Sequence, residues 1–202
     1  MAHIATLEAL RERIPNPSPM TKVKVLPYID GQGAEFVQRS PFLLLSTQNE
    51  DGSIEVSPKG DGAGFVHMED ERTLLIPDRA GNNLAFGLTN IIARPKVGII
   101  FLLPAAGETL RVSGDATLHD DADICAKLAM RNQPAKLFIR VKVQHAYFHC
   151  ARAILRSELW KTESWGPELK VSFGRIFREQ KDLEESVVGI IDRDVSKAYE
   201  HL

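Results

Sequence analysis

Four short segments of this chain combine residue types that bind anions or planar rings. The first is Ser57-Pro58-Lys59-Gly60-Asp61-Gly62-Ala63-Gly64, a hydroxyl and a lysine after an extended run and before a glycine-rich bend. Glycines let backbone N–H groups approach a ligand closely, and the lysine adds a point charge, which suits phosphate. The same composition also makes a tight turn carrying a surface lysine. The spacing is not that of a Walker loop and no clear helix follows, which argues against a nucleoside triphosphate site.

The second segment, Ile76-Pro77-Asp78-Arg79-Ala80-Gly81-Asn82-Asn83, ends a strand pattern and opens a helical one. An arginine fork, two amides and the positive end of a helix together make a competent phosphate site. The alternative is an ordinary loop in which Asn82 or Asn83 caps the helix and Arg79 pairs with Asp78. In the third, Thr109-Leu110-Arg111-Val112-Ser113-Gly114, strand alternation puts Arg111 and Ser113 on one face and Leu110 and Val112 on the other. Arg111 then faces either solvent or a ligand anion. The fourth runs from His149 to Trp160 and places Arg152, Arg156 and Trp160 four residues apart on one helical face. A tryptophan beside cations can cover a planar ring, or it is simply core. His145, Tyr147 and His149 share a strand face and read as packed rather than metal-binding side chains. No G-x-S-x-G elbow or H-E-x-x-H motif occurs, and nothing points to a catalytic cysteine.

The elements that must position these segments are mostly strands. Pro41 to Thr47 and Ile54 to Ser57 flank an Asp51-Gly52 turn and read as a hairpin. Thr73 to Pro77, Val97 to Leu103 and Glu108 to Leu118 are further strands, the last two joined by Pro104-Ala105-Ala106-Gly107. Leu137 to His149 is the clearest strand, with Leu137, Ile139, Val141 and Val143 facing one way. Helical spacing appears at Ile4 to Ile14, stopped by the Pro15 to Pro19 stretch, and at Leu84, Leu88, Ile91 and Ile92, stopped by Pro95. Asp120, Asp121 and Asp123 precede a helical run at Ile124 to Met130 and suit its N-cap and first turn. Arg178 to Glu185 reads as the solvated face of a C-terminal helix, with Val187 to Ile191 as its apolar contact. The expected architecture is a mostly antiparallel barrel with peripheral helices.

Composition narrows the function classes. With 202 residues and a 44% hydrophobic fraction, the chain can bury a sizeable core. Its 25 basic residues are dispersed among 27 acidic ones, with no basic stripe of the kind nucleic acids or membrane surfaces attract. The longest apolar run, Val97 to Leu103, has the length of a buried strand. Met1 to Ile14 is too charged for a signal peptide, and Cys125 and Cys150 show no metal-ligand spacing. Reduced, packed thiols in a cytoplasmic protein are expected.

Taken in order, the four segments resemble the pyridoxamine phosphate oxidase-like superfamily of FMN-binding split barrels. Within it the chain looks like a subfamily of FMN-dependent enzymes. That pattern runs S-P-K-G-D, P-D-R-x-G-N, E-T-L-R-V-x-G and H-C-x-K-A-x-x-R-S-x-L-W. Here it reads Ser57 to Asp61, Pro77 to Asn82, Glu108 to Gly114 and His149 to Trp160, with Arg152 where the pattern has lysine. The match spans roughly residues 35–165. The resemblance implies a mainly β fold, a six-stranded antiparallel split β-barrel. Outside the matched span, the residue patterns themselves give an N-terminal helix and Pro-rich arm over residues 1–34 and a helical extension packed on the barrel over 166–202.

The resemblance also implies a homodimer with FMN at the subunit interface. Ser57, Lys59, Arg79, Asn82 and Asn83 would hold the phosphate and ribityl chain, and Arg111 would lie near the flavin. Arg156, Ser157 and Trp160 would come from the partner subunit or line the cleft. The oxidases' S-R-K phosphate motif is replaced by Asp78 to Asn83, and their C-terminal substrate signature is absent, so vitamin B6 oxidation is not implied. The expected activity is an FMN-dependent oxidoreductase acting on a small molecule. The alternatives are a non-catalytic flavin carrier or sensor, or a barrel using a deazaflavin or haem, the last with His145 or His149 as ligand.

Overall fold

In the computed structural model, residues 3–79, 81 and 83–200 are described. The chain divides into two compact units, Met1–Trp160 and Lys161–Leu202. The first unit opens with α1 (Leu7–Arg13), capped by the Thr6 hydroxyl, and α2 (Pro19–Val23), capped by Ser18. The helix α3 (Gly31–Arg39) follows, its first turn held by Asp30 Oδ1, which accepts from the Gly33 N–H at 2.8 Å. Sequence reading did not anticipate α3; its glycines at the start mask a short apolar stripe that buries Phe36 and Val37.

Seven strands form one sheet: β1 (Phe42–Gln48), β2 (Ile54–Gly60), β3 (His67–Asp70), β4 (Thr73–Asp78), β5 (Lys96–Leu102), β6 (Thr109–His119) and β7 (Leu137–His149). Their order is β2-β1-β5-β6-β7-β4-β3, and every pairing is antiparallel. The count is seven rather than the expected six. The addition, β3, is four residues long with Met68 its one apolar side chain, too short to announce itself by alternation. The β1–β2 hairpin forms around the Asp51-Gly52 turn, with Gly52 at φ 90°.

One face of this sheet closes on a single core. Leu43 and Leu45 from β1, Ile99 and Phe101 from β5, Leu110 and Val112 from β6, Ile139 and Val141 from β7, and Leu74 and Ile76 from β4 belong to one buried cluster. Strands from both halves of the sheet reach the same cluster only if the sheet coils, as expected of a split barrel. The β4 strand is buried on both faces: Leu75 packs outward with Cys125, Leu128, Ala135 and Phe138. That outer layer is α5 (Ala122–Lys127), capped by Asp121, whose carboxylate accepts from Ile124 N–H at 3.0 Å. The helix stops at Lys127, short of the expected Met130. Cys125 is buried and Cys150 exposed, both unbridged, so only the first is a packed thiol.

A bulge lies between Ser113 and Gly114, where β6 shifts register against β7. Gly114 passes so close to the Lys142 carbonyl that any Cβ would overlap it. The bulge lets one long strand turn a barrel corner while keeping Arg111 and Ser113 on the outer face.

The helix α4 (Phe86–Ala93) lies between β4 and β5, and α6 (Arg152–Arg156) follows β7. The second unit holds α7 (Phe173–Lys181) and α8 (Val188–Tyr199). The segment Arg178 to Glu185 is therefore not one helical face. Asp182, at φ 51°, ends α7, and a 3-10 turn at Glu185–Val187 leads into α8. Gly174 meets Val188 with no room for a side chain. Asp192 ties the pair by accepting from the Ser172 hydroxyl at 2.6 Å and the Gly174 N–H at 2.8 Å.

Candidate functional site

The first two sequence segments converge on one cleft of about 640 Å³ at the free edge of β2. Leu45 and Phe65, both core residues, form its floor, and Ser57, Lys59, Asp78, Arg79, Asn83 and Lys136 are among its walls. The register explains why Ser57 and Lys59 face it. They pair with Leu45 and Leu43 of β1, so they share the inward face of the sheet, while Val56 and Pro58 point outward. Volume and lining suit a small organic ligand with an apolar body and a polar end.

The two cations of the cleft are already engaged. Lys59 Nζ contacts Asp78 Oδ1 at 2.5 Å, and Arg79 Nε donates to Asp61 Oδ2 at 3.0 Å. This crosses the pairing anticipated from sequence, where Arg79 would meet its neighbour Asp78. Consecutive residues on an extended chain point to opposite sides, so Asp78 reaches β2 while Arg79 turns toward the bend after it. The two bridges tie β2 to the end of β4. Arg79 does more: Nη2 donates to the Leu128 carbonyl at 2.7 Å and Nη1 approaches the Gln133 carbonyl at 3.5 Å. Its fork thus clamps the turn before β7. It is a wall of the cleft with its donors turned to protein acceptors.

Asp78, Arg79, Gly81 and Asn83 to Ala85 rim the cleft. Asn83 and Ala85 adopt left-handed conformations, φ 60° and 52°. Asparagine tolerates this region; alanine is strained there. Ala85 occupies the N-cap of α4 without a capping side chain, so Asn83 does not cap that helix. Asn82 lies outside the described residues.

The remaining sequence-read residues gather elsewhere in the same chain. Arg111 is on the outer face of β6, opposite Ile100 of β5 and Tyr147 of β7. It is three strands from β2, about 14 Å across the sheet, and on the face opposite Lys59. Its Nε is buried without an acceptor among the described residues. Burial, and then the charges of Arg111 and Lys24, lower the pKa of neighbouring His149. Lys24 Nζ donates to the Phe148 carbonyl at 3.0 Å. Trp160 Nε1 donates to the Ala106 carbonyl at 2.7 Å, fixing the fourth segment against the β5–β6 turn. Arg156 Nε bonds the Arg152 carbonyl and Ser157 Oγ the Ile154 carbonyl, both local contacts on an exposed surface.

Sequence reading missed Asp61 as the counter-ion of Arg79 and Asp78 as the counter-ion of Lys59, although both stand within the quoted motifs. It also missed Glu55 and Lys136, which line the cleft. Lys136 directly precedes the clearest strand of the chain, and its position there was the one available signal.

Among curated proteins, none matches the chain. A HupZ variant from Group A Streptococcus shares 16% identity and a TM-score of 0.50, covering 60% of this chain and 99% of that one. An FMN-binding protein from Syntrophomonas wolfei shares 11% identity, covering 70% and 95%, with a TM-score of 0.43. An F420 reductase shares 19% identity, covering 57% and 94%, with a TM-score of 0.42. The family model described as pyridoxamine 5'-phosphate oxidase matches residues 29–150, which hold every strand and the whole cleft, and the chain belongs to that family.

Proposed function

We propose that the protein binds FMN in the β2 cleft and acts, as a homodimer, as an FMN-dependent oxidoreductase on a small molecule. One observation carries the reading. An apolar floor of Leu45 and Phe65 lies in the same cleft as the Ser57 hydroxyl and the cationic side chains of Lys59 and Arg79. Such a cleft fits a planar ring on the floor and a phosphate at the cationic end. Ser57, Lys59 and Asn83 would hold the phosphate and ribityl chain, with Arg79 bracing the wall. Bound FMN supplies two-electron redox chemistry, and the chain's part is to bind it, orient it and exclude water.

Two observations support a second copy at the interface. The outer face of β2 and β1 exposes three apolar side chains, Ile54, Val56 and Phe42, which a second copy could cover. Arg111 on that same face keeps a buried Nε without an acceptor, which a partner group or the flavin it holds would satisfy. Two unbridged cysteines agree with a cytoplasmic setting. Among the described residues, no helix is long and apolar enough to cross a membrane.

The test is an absorption spectrum of the purified protein with and without added FMN, followed by gel filtration. Flavin bands co-eluting with a dimer are expected. Retention of a deazaflavin or haem instead would move the reading to that cofactor. Bound FMN without turnover in the presence of a nicotinamide reductant and candidate acceptors would favour a carrier.

A further inference from the structure

The outer face of β6 and β7 gathers positive charge that no described acid pairs with. Register sets Thr109 beside His149, Arg111 beside Tyr147 and Ser113 beside His145. Lys24, just after α2, reaches the same place. Its Nζ donates to the Phe148 carbonyl at 3.0 Å and lies 5.7 Å from the centre of the Tyr147 ring. His149 feels both cations: its pKa is lowered by burial first, and then by Arg111 and Lys24. Two permanent cations and a histidine thus lie within electrostatic reach of one another around one aromatic ring.

Arg111 takes part in no hydrogen bond or ion pair among the described residues. Of its nitrogens, only Nε is sealed from solvent without an acceptor, which leaves the terminal fork open to a ligand. On the same face of β6, Asp115 is four residues away, about 13 Å along the strand. It is already bridged to Lys96 at 2.5 Å and accepts from the Gln144 amide. Ser113 and His145 face one another at 3.4 Å and bring no negative charge. Like charges held together on a half-buried surface repel, and an oxyanion between them relieves the repulsion and satisfies the fork.

We propose that Arg111, Lys24 and Tyr147 form an anion site on this face, and that it takes the carboxylate or phosphate of the small molecule on which the protein acts. The fork offers paired donors to an oxyanion, Lys24 a point charge, and the Tyr147 ring a flat apolar wall. The site itself stands apart from the β2 cleft. That its anion belongs to the substrate rests on the reading above, in which this face meets the second copy and the flavin it holds.

The experiment follows the His149 ring by NMR through a pH titration of the full chain without flavin. The titration is run in chloride, then with inorganic phosphate or benzoate at equal ionic strength. A bound anion offsets the charges of Arg111 and Lys24, so the His149 midpoint should rise with either anion. Benzyl alcohol, the neutral counterpart of benzoate, should leave it unmoved. Arg111→Leu and Lys24→Gln should each weaken the anion about tenfold, the loss of one charge-assisted contact. A midpoint that ignores both anions, or responds equally in wild type and both variants, overturns the site. A midpoint that moves with protein concentration instead gives Arg111 to a group of the second copy and overturns it too. Benzoate is then added to the FMN-loaded protein, where a perturbed flavin absorption band is expected. A His149 response with no flavin response overturns the substrate assignment alone. A chain that binds no FMN but keeps the His149 response overturns the FMN reading and the substrate assignment, and leaves the anion site standing.

Discussion

Lys59 and Arg79 in the cleft and Arg111 on the outer face carry the same kind of sequence signal, a cation on or next to a strand. The fold treats them differently. The cleft cations each lie against an aspartate within 3.0 Å. Arg111 keeps a buried Nε without an acceptor among the described residues, beside Lys24 and His149. A cation satisfied inside its own chain stabilises the fold; one left unsatisfied stabilises nothing until something else arrives. The contrast separates cations that brace the cleft wall from one whose Nε finds no acceptor among the described residues.

The largest effect should come from removing the geometry that aims Arg111. Gly114→Ala forces a side chain into the Lys142 carbonyl at the β6 bulge. It should cost on the order of 3 kcal/mol of stability, read as a lower urea midpoint. An unchanged midpoint would mean that the bulge relaxes freely.

The cleft side of the contrast is tested next. Asp61→Ala strands the Arg79 guanidinium and loosens the Leu128 and Gln133 contacts it makes. A loss of about 2 kcal/mol is expected, again by urea denaturation. Arg111→Leu should do the opposite. It removes an unsatisfied nitrogen, so unfolding free energy should stay level or rise by about 1 kcal/mol, while dimer formation and flavin retention fall in gel filtration. If Arg111→Leu destabilised the chain as much as Asp61→Ala, the two regions would not differ.

Much of the barrel was legible because periodicity and turn chemistry dominate it. The alternation of Leu137 to His149, the Asp51-Gly52 turn and the Asp121 cap are local signals, and the structure carries each. The α3 helix and the short β3 were not legible, since a glycine-rich start and a four-residue strand with one apolar side chain, Met68, leave little pattern. At the site, residue types were readable but partners were not. Asp61 and Arg79, 18 residues apart in sequence, meet only because the β2 and β4 ends approach in the coiled sheet. For the same reason Arg111 and Lys59 fall on opposite faces. Alternation gives the two faces of one strand but not which face of the next strand matches it.

The smallest predicted effect is a pH dependence. His149 in the folded chain has a lowered pKa, caused first by burial and then by Arg111 and Lys24. The unfolded chain therefore binds a proton at a higher pH than the folded one. Stability from this group is present above the ordinary histidine pKa, about 6.5, and is lost as pH falls below it. Arg111→Leu should flatten that slope in thermal melts between neutral pH and pH 5, and an unchanged slope would remove Arg111 from the account of His149.

The central claim is that the cleft holds FMN by its phosphate. The direct measurement is a fluorescence titration of the purified protein with FMN and, separately, with riboflavin, at low and moderate salt. The account predicts saturable FMN binding, weaker riboflavin binding, and a preference for FMN that shrinks as salt rises. Equal affinity for the two flavins at every salt concentration, or no binding of either, would contradict it.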